Sequence, residues 1–130
     1  MNLNNVTIPG LIYLASPYTK YPTGREAAYQ EASKLTAVML EHNFNVFGPI
    51  TYSHPLTPFL RSRTVDAEHE FWMRIDREIF RKCDAIVVAT MDGWTSSKGV
   101  TEEIAWFRWA KRPVWFLDPE TLELELETLS

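Results

Sequence analysis

Basic clusters, cysteine pairs and long apolar runs are all missing from this 130-residue chain, and each absence closes off a class of function. Thirteen Lys and Arg stand against seventeen Asp and Glu, a net charge of −4. Without a Lys/Arg block, the chain lacks the surface that holds nucleic-acid polymers by counterion release. A single cysteine, Cys83, excludes an internal disulfide framework and suits a reducing compartment. Its apolar neighbours mark it as a buried structural thiol rather than a nucleophile. No stretch approaches the ~20 apolar residues of a membrane span. The opening "MNLNNVTIPG" has no basic segment leading into an apolar run. These readings give the expectation of a cytoplasmic protein that meets neither membrane nor nucleic-acid polymer.

What is present is an ordinary globular composition, 45% hydrophobic and 23% charged, in a length that suits one domain over residues 1–130. "GLIYLAS" is a short apolar run suited to a buried parallel strand. "TGRE" offers a capping box, Thr23 with Glu26, and Ala28, Ala32, Leu35, Met39 and Leu40 then recur at helical spacing. "FNVFGPI" reads as a second strand. The Pro-rich "PITYSHPLTPFL" reads as a long functional loop or lid rather than a regular element. A helix is expected over residues 66–82, with Phe71, Trp72, Ile75 and Ile79 on its inner stripe. "DAIVVAT" is the strongest strand; a helix over residues 97–111 and the strand "PVWFL" follow. In the tail "DPETLELELETLS", the leucines alternate like a strand, while Leu122, Leu126 and Leu129 also fit a helix opened by Asp118 and Pro119.

Alternating strands and helices predict an α/β fold. The expected form is a three-layer Rossmann-like or flavodoxin-like sandwich on a mainly parallel sheet of four or five strands. Ligands in such sheets bind beyond the carboxyl ends of the strands, which brings the loops after Leu14, Phe47 and Thr90 around one crevice.

Two carboxylates stand out. On a wheel of ~100° per residue, Val100, Ile104 and Phe107 face the sheet and Glu102 lies opposite them, in line with Trp106 and Trp109. Glu103 lies ~60° from Val100, at the edge of the buried face and near the helix N-terminus. It either points into the crevice or merely offsets the helix dipole. Asp76 falls mid-helix, where aspartate has poor propensity and no cap to serve. It either converges on the same crevice or pairs with Arg74 or Lys82 at the surface. Asp84 precedes a strand directly, where a cap or turn role is expected. Paired carboxylates are the usual equipment for breaking a glycosidic bond. The loop "TSSKG" presents hydroxyls, a glycine and free N–H groups at a helix start, which reads either as an anion site or as an ordinary serine N-cap. The three histidines are too scattered to argue for a metal, and no cofactor is expected.

Three segments together resemble the nucleoside 2-deoxyribosyltransferase-like superfamily, which includes 2′-deoxynucleoside 5′-monophosphate N-glycosidases and hydroxymethylcytidylate hydrolases. They are "IYLASPYT", "DREIFRKCDAIVVA" and "SKGVTEEIAWFRWAKRPV", the last carrying a Ser-x-Gly-x-x-x-Glu pattern. The resemblance implies that Glu103 is a nucleophile toward the anomeric carbon and that Asp76 assists the leaving base or orients the sugar. It places Tyr13 beside the reacting sugar, and Ser16, Ser97 and Gly99 in a phosphate pocket; Arg25 and Lys98 either add positive charge there or are solvated side chains. Relatives acting on free nucleosides tend to carry an aspartate six residues before the nucleophile; here that residue is Ser97, which favours a 5′-phosphate. The implied activity is hydrolysis of the base–sugar bond of a (deoxy)ribonucleoside 5′-monophosphate. Deoxyribosyl transfer, a phosphoribohydrolase-type reaction and a non-catalytic nucleotide sensor are the alternatives. A homodimer or larger assembly is expected, with Trp106 and Trp109 as an exposed association stripe.

Overall fold

Along β1, Leu11–Ala15, successive side chains alternate between two faces, and both faces are covered. Ile12 and Leu14 enter one apolar cluster, whereas Tyr13 and Ala15 enter the other. β3, Ala85–Ala89, repeats the pattern with every residue buried, which is why it is a continuous apolar run in the sequence. The computed structural model describes residues 1–128. Among these residues five strands form one sheet in the order β2-β1-β3-β4-β5. β2 (Asn45–Phe47), β1, β3 and β4 (Val114–Leu117) run parallel, and β5 (Leu124–Leu126) closes the edge antiparallel to β4. Register pairs Tyr13 with Phe47 on one side and with Ile86 on the other.

Helix α1, Arg25–Glu41, covers the face of Ile12 and Leu14 through Leu35 and Met39. Helices α3 (Val65–Phe80) and α4 (Lys98–Trp109) cover the opposite face through Phe80, Val100, Ile104 and Phe107. The result is the expected three-layer α/β sandwich with a five-stranded, mainly parallel sheet. Strand order reverses direction between β1 and β3, so the carboxyl ends of those strands open a crevice there.

Several local expectations are corrected. Thr23 and Glu26 form no capping box. Gly24, at φ 102°, occupies the N-cap position, and the Glu26 carboxylate instead accepts from Gln30 and His54. Leu40 keeps step with the α1 stripe in sequence yet is 51% exposed. The Pro-rich stretch is regular: α2 spans Pro49–Ser53 and a 3-10 helix follows over His54–Phe59. Pro49 and Pro55 fall in the first turns of these pieces, where the missing N–H has no intrahelical partner to lose. The buried line of α3 is Met73, Asp76 and Phe80, rotated from the expected stripe of Phe71, Trp72, Ile75 and Ile79, which are half-buried. An apolar pattern could not find this face, because one of its inward positions is a carboxylate. The tail resolves as strand β5, after a turn in which Asp118 accepts from the N–H groups of Glu120 and Thr121; Leu129 lies outside the described residues. Trp106 is half-buried, its ring 5.5 Å from that of Phe80 with the Arg77 guanidinium over it. Only Trp109 of the expected stripe, 83% exposed, faces solvent.

At the amino end of the sheet, Asp84 has the structural role expected of it: its carboxylate accepts the Leu11 N–H at 2.8 Å. Gly10 is required beside it, because it lies at φ +80° and a Cβ there would stand 1.9 Å from Asp84 Oδ2. Cys83 is buried, and burial raises its thiol to about 11, so it stays protonated and inert. No helix among the described residues is long and apolar enough to cross a membrane.

Candidate active site

A cavity of about 340 Å³ lies beyond the carboxyl ends of β1 and β3, between α2, α3 and the N-terminus of α4. Four elements deliver its polar groups. Ser16 follows β1 directly, Arg25 opens α1, Asp76 comes from the middle of α3, and Ser97, Gly99 and Glu103 come from the start of α4. Six of the seven candidate residues therefore line one space, although they are spread over almost ninety positions of sequence. The loop that carries the lining residue Lys20 is crossed closely by a second loop. A Cβ on Gly93, at φ +90°, would stand 2.3 Å from the Lys20 carbonyl oxygen, so only glycine lets these loops meet.

Tyr13 is the seventh candidate, and its place differs from the expectation. It is fully buried, does not line the cavity, and its hydroxyl donates to Glu103 Oε2. Tyr13 points from β1 into the α3/α4 layer and contacts the Phe107 ring at 5.7 Å, so it supports Glu103 from behind. That bond orients one carboxylate oxygen and stabilises its anion.

Glu103 and Asp76 are 5% and 6% exposed, in a protein where acidic residues are otherwise at or near the surface. Burial holds the Glu103 carboxyl well above the usual carboxylate range, the Asp76 charge adds to this, and the Tyr13 bond opposes it. Burial alone raises Asp76 to about 7. The expected surface pairing of Asp76 with Arg74 or Lys82 does not form. Among the described residues nothing donates a hydrogen bond to Asp76, and its side chain faces the cavity. Two carboxyls buried on one cavity wall cannot both ionise cheaply. The Tyr13 hydroxyl favours the Glu103 anion, and Asp76 has no such donor among the described residues.

Glu102 does not face open solvent. It meets His69 of α3 at 3.3 Å, and His69 itself lines the cavity wall. At the head of α4, Ser97 is both N-cap and cavity residue. Its Oγ accepts the Val100 N–H at 3.2 Å, which leaves its own hydrogen free to donate. The Lys98 and Gly99 amides, first in the helix, have no intrahelical acceptor and lie on the cavity wall. A Cβ on Gly99 would meet nothing closer than 4.0 Å, so glycine there keeps space open rather than relieving a clash. Arg25 lines the cavity but is already engaged, paired with Glu68 at 3.1 Å and lying over the Tyr18 ring at 5.0 Å. Among the described residues no three His, Cys, Asp or Glu side chains are grouped to hold a metal ion.

Residues 10–118 match the family model described as "Domain of unknown function (DUF1937)", which takes in every element from β1 to β4 and the entire cavity lining. The chain belongs to the DUF1937 family. No curated protein matches it. The family description carries no activity, so for this DUF1937 domain the chemistry of the cavity is the guide.

Sequence reasoning marked the Pro-rich stretch as a functional loop or lid but singled out no one residue of it for the cavity. Ser53 and Ile50 of α2, and Trp72 and Met73 of α3, line it. The α2 pair lay in a stretch read as loop, although its position after the carboxyl end of β2 is the signal that could have found it. His54, which follows Ser53 directly, does not line the cavity. It accepts from Tyr18 at 2.6 Å, reaches Glu26 at 2.6 Å and stacks on Tyr29 at 4.6 Å, tying the end of α2 to α1.

Proposed function

We propose that this DUF1937 domain is an N-glycosidase that hydrolyses the base–sugar bond of a (deoxy)ribonucleoside 5′-monophosphate. The observation that carries the reading is the pair of buried carboxyls on the cavity wall, one held by a tyrosine hydroxyl and the other without a donor. It agrees with the resemblance of "IYLASPYT", "DREIFRKCDAIVVA" and "SKGVTEE" to the nucleoside 2-deoxyribosyltransferase-like superfamily.

In this reading the Glu103 carboxylate attacks the anomeric carbon as the bond to the base breaks, and the product is a glycosyl ester. Asp76, protonated because burial raises it to about 7, supplies a proton to the departing base. It then takes a proton from the water that opens the ester, which returns both carboxyls to their starting states. Tyr13 releases its grip on Oε2 as the carboxylate charge is spent in the bond and restores it when the ester opens.

The phosphate end is the head of α4. The Lys98 and Gly99 amides, the Ser97 hydroxyl and the Ser16 hydroxyl supply donors, and the helix dipole favours the anion. Arg25 contributes only at the expense of its bond to Glu68. No metal or cofactor enters these steps. Self-association through the α4 surface around Trp109 is part of the same reading, supported by a large aromatic left 83% exposed.

The test is release of free base from a panel of ribo- and deoxyribonucleoside 5′-monophosphates run beside the parent nucleosides. Release from a monophosphate and not from its nucleoside is the expected result. Release from nucleosides alone would contradict the phosphate end of the site.

A further inference from the structure

α2 and the head of α4 flank β1 from opposite sides, because α2 follows β2 at one sheet edge and α4 leads into β4 toward the other. If the phosphate sits at α4 and the reacting carbon between Asp76 and Glu103, the remaining wall, from α2 and the middle of α3, is left for the base. Two independent features stand on that wall.

The first is Ser53, the last residue of α2. It is 6% exposed, lines the cavity, and its hydroxyl has no hydrogen-bond partner among the described residues. No side-chain polar atom of the described residues is both sealed from solvent and unpartnered, so this hydroxyl opens onto the cavity. A hydroxyl with nothing to bond inside the chain and open to the cavity is free to bond water or a ligand there. The second is Trp72. It lines the same cavity, and its ring is fixed edge to face by Phe71 at 5.0 Å and Tyr52 at 6.4 Å. A held aromatic wall suits a planar ring, and a hydroxyl in the same cavity suits the polar edge of that ring.

The position of Ser53 is itself pinned. The next residue, His54, is bonded to Tyr18 and Glu26 and stacked on Tyr29, and Thr57 donates to the Ser53 carbonyl at 3.2 Å. One residue pair further back, Ser33 and Thr51 meet at 3.0 Å and bind α1 to α2. The hydroxyl is thus preorganised by a network whose own hydrogen bonds are complete.

We infer that Ser53, in the same cavity as Trp72, is the base-reading residue of this site, hydrogen-bonding the polar edge of a heteroaromatic ring. The inference rests on the proposed function and adds the residue that distinguishes a nucleotide from its sugar phosphate. Ser53 acts in recognition and takes no part in bond breaking.

The experiment measures binding without turnover, in a Glu103→Gln background, with and without Ser53→Ala. The probes are four 2′-deoxynucleoside 5′-monophosphates and 2-deoxyribose 5-phosphate. Ser53→Ala should weaken the best-bound nucleotide by roughly 3- to 10-fold, the worth of one hydrogen bond, and leave 2-deoxyribose 5-phosphate unchanged. An unchanged sugar phosphate also shows that the variant is folded. Equal weakening of both probes, or of neither, would overturn the role of Ser53 and leave the glycosidase reading standing. Binding of sugar phosphate and nucleotides with equal affinity would overturn base reading altogether. Binding of no probe would overturn this inference together with the nucleotide reading beneath it.

Discussion

Asp76 and Asp84 are eight residues apart, on either side of the α3–β3 connection, and the protein treats them in opposite ways. Asp84, at the amino end of the sheet, is exposed to water and still accepts a backbone N–H, tying Leu11 into place at 2.8 Å. Asp76, facing the carboxyl end, is 6% exposed and accepts nothing, and burial raises it to about 7. The chain spends a hydrogen bond where water would have served and withholds one where burial demands it. The same contrast extends to the neighbours. Arg112 donates to the carbonyls of Phe80 and Cys83 and finishes the end of α3, whereas Ser53 is buried without a partner. One end of the sheet is built for stability; the other leaves polar groups without a partner in the chain but open to the cavity, where a ligand can meet them.

Substitutions can break that contrast. Asp76→Asn should have the largest effect, and in two directions. Base release should fall by about 10²–10⁴-fold, the usual worth of general acid–base catalysis. Stability should rise, because a raised carboxyl pKa means the folded state keeps a proton that the unfolded chain gives up near pH 4. Native stability therefore declines as pH climbs from about 4 through 7, and the asparagine removes that decline. Denaturant unfolding should show a gain of about 1–4 kcal/mol at pH 8 that vanishes near pH 4. A loss of stability at pH 8 would mean that Asp76 has a hidden partner.

Ser97→Asp keeps an N-cap, so α4 should still start at the same residue, but it places a carboxylate among the phosphate donors. Nucleoside monophosphate affinity should fall by about 10–100-fold, with the parent nucleoside much less affected, as titration calorimetry would show. Asp84→Ala sharpens the comparison from the other end. Stability should drop by about 0.5–1.5 kcal/mol through the lost Leu11 bond, while activity per folded molecule is retained. Trp109→Ala belongs to neither end and should leave both stability and base release within experimental error. Its expected effect is a weaker self-association in sedimentation velocity.

The layers were legible in the sequence because apolar periodicity reports them directly. "AIVVA" is buried on both faces and reads as such, and Ala28, Ala32, Leu35 and Met39 mark the inner face of α1. Glu103 was legible from its angle to Val100 on the helix wheel. The failures have one physical cause: local patterns do not encode partners from distant segments. Glu26 fits a capping box, but His54, twenty-eight residues on, takes its carboxylate. The inner stripe of α3 was displaced because Asp76 occupies an inward position that hydrophobicity leaves blank. The helical form of the stretch that carries Ser53 was hidden by prolines that fit the first turns of short helices as well as they fit a loop. The bond from the Tyr13 hydroxyl to Glu103 depends on strand register and helix packing, which the sequence alone leaves open.

The central claim is that the buried pair is the working end of the molecule and Asp84 the structural end. The most direct measurement is base release from deoxyribonucleoside 5′-monophosphates by the native protein, Glu103→Ala and Asp84→Ala at matched folded concentration. The account predicts release by the native protein, release by Asp84→Ala at a comparable rate, and loss of at least about 10³-fold with Glu103→Ala. Release that survives Glu103→Ala, or native protein that releases no base from any member of the panel, would contradict it.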